Sequence, residues 1–124
     1  MKALNTLTVI SNIGYDIGAG GTVIQATSRT TGVTLNKLCG TITTNTTSLA
    51  ALAAATFTVT NSQVGINDVI IVSKRSGSTN VKTDIRVTTV AAGSFSITIH
   101  NIDAATAEVG AIVINFTIIK AVVT

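Results

Sequence analysis

Four glycines fall within eight residues, at Gly14, Gly18, Gly20 and Gly21. Such clusters can cradle a phosphate with backbone N–H groups. That chemistry needs a helix behind the loop, whose N-terminus supplies free donors and a positive dipole. A Walker loop also ends in Gly-Lys-Ser/Thr, whereas Gly21 is followed by Thr22-Val23-Ile24. A dinucleotide loop needs a third glycine at the right offset, which Gly18-Ala19-Gly20-Gly21 lacks. The residues that follow are rich in Thr, Val and Ile, which favour strands. The glycines are therefore read as a lead-in that lets the chain turn or approach another backbone closely.

The remaining reactive groups are sparse. His100 is the only histidine and Cys39 the only cysteine. On the alternation of "SFSITIHN", His100 faces away from Phe95, Ile97 and Ile99, and Asp103 is near enough in sequence to pair with it. A triad needs a nucleophile, base and orienting acid converging, and no serine sits in G-x-S-x-G. Cys39 allows no internal disulfide and no cysteine metal cluster. It is expected to be a small buried hydrophobe rather than a reactive thiolate. Asp16, Asp68, Asp84, Asp103 and Glu108 are far apart in sequence, and no calcium loop pattern occurs. Few aromatics are present to stack on a sugar. We expect no enzyme activity, no catalytic, cofactor or metal site, and no cofactor.

Composition narrows the partners. Charged residues are 10% of the chain, hydrophobic residues 46%, and the net charge is +3. That charge is too small and scattered for nucleic acid. Lys74, Arg75, Lys82 and Arg86 flank one expected hairpin and form a solvated basic turn, or a docking point for an acidic neighbour. The longest apolar runs are too short for a membrane-spanning helix, and Met1-Lys2-Ala3-Leu4 gives way at once to Asn5 and Thr6, so no signal peptide is expected. Neither a nucleic-acid nor a membrane partner is expected. The apolar excess instead points to contact between chains.

One domain of 124 residues can bury roughly two-thirds of its unfolded surface. Threonine makes up nearly one residue in five, and β-branched residues suit pleated sheets. Residues 1–21 are expected to form an N-terminal arm and glycine-rich segment, and residues 22–124 a β-sandwich. "VTLNK", "GTITTN", "ATFTVTN", "KTDIRVTTV" and "SFSITIHN" alternate or nearly so. "NDVIIVSK" is continuously apolar from Val69 to Val72, as expected of a strand covered on both faces, and "AIVINFTIIKAVV" is a long closing strand apolar on both faces. "TTSLAALAAA" (46–55) is the one helix-like stretch, a turn or two at most. "RSGSTN" and "AAG" read as hairpin turns. The fold class is all-β: an antiparallel sandwich or jelly-roll with an extended N-terminal segment.

The blocks "GYDIGAGGTVIQATSRTTGVTLNKLCGTITT", "FTVTNSQVGINDVIIV", "AAGSFSITIHNI" and "AIVINFTIIKAV" resemble a family of small tailed-bacteriophage virion proteins. The likeness runs from Gly14 to Val122, and "GGTVIQATSRTTGVTLNK" is its most specific part. Leu38-Cys39 and "TNTTSL" depart from it. The resemblance implies a capsid decoration (cement) protein, β-rich and homotrimeric, made in the bacterial host cytoplasm and sitting on the virion capsid surface. Its implied partners are the major capsid protein and other copies of itself. The competing expectation is a tail-fibre, receptor-binding or other tail-associated domain; a small hydrolase is the third and has no visible site.

Overall fold

A computed structural model describes residues 6–124; the first part of the expected arm, residues 1–5, lies outside them. The chain is all-β, with eight strands: β1 (Gly20–Ile24), β2 (Val33–Thr34), β3 (Cys39–Thr43), β4 (Ala54–Thr60), β5 (Val69–Ser76), β6 (Thr83–Ala91), β7 (Ser94–Asn101) and β8 (Val113–Ile119). They form two four-stranded sheets, β1-β3-β8-β5 (the first sheet) and β2-β4-β7-β6 (the second). β1 opens at Gly20, so the last two glycines of the expected lead-in are strand residues.

Alternation builds the core. Phe57 and Val59 of β4 and Phe95, Ile97 and Ile99 of β7 point inward from the second sheet; Ile42, Ile70, Ile114, Phe116 and Ile118 point inward from the first. Phe95 and Phe116 meet across the gap with ring centroids 5.5 Å apart and planes tilted by 54°. Each such side chain contributes about 1.5–3 kcal/mol by leaving water.

Several expectations are corrected. The sheets are mixed, not antiparallel, because β1 pairs parallel with β3 and β2 parallel with β4. Parallel neighbours need a crossover. Here the strand between them in sequence supplies it by lying in the opposite sheet. A two-residue period fixes which face is buried but carries no strand direction, so this was invisible to patterning. The stretch 46–55 is not helical: Leu49 bridges to Glu108, Leu52 turns the chain at φ 62°, and Ala54 begins β4. Alanines take the extended form here because Ala55 fills a place on the core side opposite Ile99. "RSGSTN" is not a hairpin turn, since β5 and β6 belong to different sheets. "AAG" is one: β6 and β7 pair antiparallel and Gly93 takes φ 83° at the turn.

β5 and β8 are not covered on both faces. In β5, Ile70 is buried while Val69 and Ile71 are 51% and 48% exposed. In β8, Ile114, Phe116 and Ile118 are buried while Asn115 and Ile119 face outward. The alternation was hidden in β5 because apolar residues occupy both faces.

Candidate interaction surface

The chemistry-bearing residues scatter. Asp103 does not pair with His100. It lies 3.6 Å from Lys82 and accepts backbone hydrogen bonds from Ala105 and Thr106, and these N–H groups, against the cost of burial, hold its carboxyl below the usual range. His100 sits half-buried on the outer face of the second sheet, between Ala54 and Asp84 in register. Asp68 accepts from Lys120 Nζ at 2.5 Å and from the Gly65 N–H at 2.7 Å. The lysine hydrogen bond is the main cause of its lowered pKa. Lys74 and Arg75 line a shallow hollow of about 260 Å³ with Val81, while Arg86 lies apart, opposite Thr98 on the outer face of the second sheet. Among the described residues, no group of three or more His, Cys, Asp or Glu side chains is arranged to hold a metal ion.

One polar cluster escaped the sequence altogether. Glu108 is fully buried. Its Oε1 accepts from Thr79 N (2.8 Å), Thr79 Oγ1 (2.7 Å) and Gly110 N (2.7 Å). Its Oε2 accepts from Ser78 Oγ (2.5 Å), Asn80 N (3.0 Å) and Thr83 Oγ1 (2.7 Å). Burial pushes the carboxyl pKa up, but the Ser78, Thr79 and Thr83 donors more than offset it and hold the group far below its ordinary value. Arg29, also buried, donates to the carbonyls of Glu108 (3.3 Å), Gly110 (2.9 Å) and Thr47 (2.5 Å) and to Thr44 Oγ1 (3.2 Å). Asn101 Nδ2 reaches the carbonyls of Leu49, Ala50 and Thr106.

This cluster ties four loops together at one end of the sandwich. Gly77 and Gly110 make it possible: a Cβ on Gly110 would lie 1.9 Å from the Gly77 carbonyl, and Gly77 itself takes φ 85°. A carboxylate with six donors is a weak base and a poor nucleophile. The arrangement fastens loops, and among described residues it leaves no buried polar side-chain atom unpartnered.

The outer face of the first sheet is the opposite case. Outward side chains form rows in register: Val69 beside Ile119, then Ile71, Thr117 and Cys39, then Ser73, Asn115 and Thr41. None of these carries a charge. Cys39 is half-buried on this face and does not point into the core as expected; the inward places on β3 belong to Gly40 and Ile42, and Gly40 is there because a Cβ would lie 2.5 Å from the Gly21 carbonyl. The arm passes over one end of the face. The Tyr15 hydroxyl donates to the Ile118 carbonyl, and Gly18, at φ 97°, turns the chain into β1. Between arm and sheet lies a cavity of about 490 Å³, lined by Ile13, Gly14, Tyr15, Cys39, Thr117, Ile119 and Lys120. Its walls are mostly apolar, with the Lys120 side chain at one side. The glycine cluster thus positions an arm, and a strand rather than a helix follows it, as the sequence indicated.

Compared with protein-family models, with curated proteins and with solved structures, the chain finds no match. The functional reading therefore rests on geometry and on the sequence resemblance.

Proposed function

We propose that this chain is a structural, non-catalytic protein of a tailed-phage virion, a capsid decoration protein that stabilises the head by bridging subunits of the major capsid protein. The observation that carries the reading is the pairing of an uncharged face bearing an apolar stripe of Val69, Ile71 and Ile119 with an exposed apolar arm, on a domain whose buried polar side chains fasten its own loops. Leu7, Ile10 and Ile13 of the arm are 73%, 99% and 76% exposed. Apolar surface of that extent suits an association site. A rigid sandwich that binds only the assembled shell favours that state by mass action. We further propose self-association into a homotrimer on the capsid surface. The eight-strand, two-sheet plan has the strand count of a jelly-roll, and the likeness is proposed at that level alone.

The test is a pair of phage heads, with and without this chain, heated and osmotically shocked while genome release is followed. Earlier release from heads lacking the chain is expected; equal survival overturns the role. Particle imaging that finds the chain only on the tail would replace it with the tail-associated reading.

A further inference from the structure

The arm is too long for the face beside it. From Tyr15, held at the Ile118 carbonyl, back to Thr6 an extended chain reaches up to about 35 Å. The sheet is four strands wide, about 15–20 Å, and its strands of five to eight residues run about 17–26 Å. Extended, the arm overruns its own sheet in either direction, and every residue from Thr6 to Gly18 is exposed. The segment Thr6–Tyr15 carries no charge, matching the uncharged rows of the outer face. Thr6-Leu7-Thr8-Val9 alternates with the period of a strand, as a segment laid on a pleated surface would.

We propose that the arm of one copy lies on the outer face of the first sheet of a second copy, with apolar side chains of Leu7–Ile10 entering the cavity between Tyr15, Cys39 and Ile119. A second copy is the occupant because both halves of the contact sit on one chain, so passing arms between copies covers both. Arms passed head to tail from copy to copy close as a ring when the rotation closes, which at three copies is the symmetry of the proposed homotrimer. The inference deepens the proposed role by naming a self-contact, and its test needs no particle.

The test is the full chain carrying Ile10→Cys, exposed to a mild oxidant at micromolar concentration. Non-reducing gels and peptide mass mapping should show a disulfide between position 10 of one copy and Cys39 of another. Leu7→Asp with Ile10→Asp, on the arm, and Ile71→Arg, on the receiving face, should each weaken association about tenfold or more in sedimentation. All three positions are exposed, so the melting temperature of the dissociated chain should not move. A monomeric wild-type chain, a link within one chain, a link to any other site, or unchanged association in these variants overturns the inference. A monomer that still protects heads sinks this inference alone. An arm-linked oligomer that leaves heads unprotected sinks the decoration role alone.

Discussion

At the loop end of the sandwich, Glu108 takes six hydrogen bonds and Arg29 four, all from within the chain. On the outer face of the first sheet, Val69, Ile71 and Ile119 stand about half in water. One region is polar and finished; the other is uncharged, with an open apolar stripe. On the proposed function, the difference separates what holds the domain together from what it offers to others. A change in the first region should alter stability and leave association alone. A change in the second should do the reverse.

The sharpest way to break this comparison is Glu108→Ala. It strips five residues of their common acceptor and leaves Arg29 buried without the opposing charge nearby. Removing one partner of a buried charged cluster costs about 3–5 kcal/mol, a large share of the stability of a domain this size. Denaturant unfolding should register the loss. A cost below about 1 kcal/mol would mean the cluster is not what fastens the loops.

Acid should act on the same cluster with a predictable sign. Glu108, Asp68 and Asp103 all have carboxyl pKa values depressed in the folded chain. Groups depressed on folding contribute stability above the unfolded pKa, near 4, and lose it as pH falls below that range. Unfolding free energy should therefore be level from pH 7 to about pH 5 in respect of these groups and decline below about pH 4. Glu108→Gln should flatten part of the decline. Stability that rises on acidification would contradict the geometry of all three sites.

Asn101→Ala comes next in size. It removes one donor from the Leu49, Ala50 and Thr106 carbonyls, the last of which keeps Asn80 Nδ2, and the acceptor of the Asp103 N–H, a loss of about 1–3 kcal/mol. Equilibrium unfolding monitored alongside sedimentation would show the drop with no shift in association.

The two regions also differ in how far the sequence revealed them. Strands with polar outward residues, such as Phe57–Val59 between threonines, and Phe95, Ile97 and Ile99 between serines and Thr98, announced both their type and their buried face. β5 announced its type but not its open face, because Val69 and Ile71 are as apolar as Ile70. The polar cluster was silent. Glu108 meets Ser78, Thr79, Asn80 and Thr83 across about 25–30 residues of chain, and no local period encodes a meeting of loops. The one hint was a lone glutamate in a loop with Gly110 two residues on, a pattern too common to single out. Parallel pairing was lost for the same reason: direction depends on which sheet the intervening strand joins.

The smallest expected effect on stability gives the finest test of the comparison. Ile71→Thr keeps a β-branched residue with good strand propensity and changes an outward position that is 48% exposed, so unfolding of the isolated chain should shift by no more than about 0.5 kcal/mol. Thr58→Val makes the converse change on the second sheet, where Thr58 sits opposite Ser96, and its stability effect should be equally slight. Association should separate the two. Loss of a methyl-rich contact at Ile71 should weaken it, while a new apolar side chain at position 58 should leave it unchanged, because the neighbouring outward rows of the second sheet carry hydroxyls such as the Thr56–Thr98 pair at 2.7 Å. Matched stabilities with unmatched association would place the working surface on the first sheet. Matched effects on both would mean that outward apolarity at Ile71 is incidental and that the arm has some other seat.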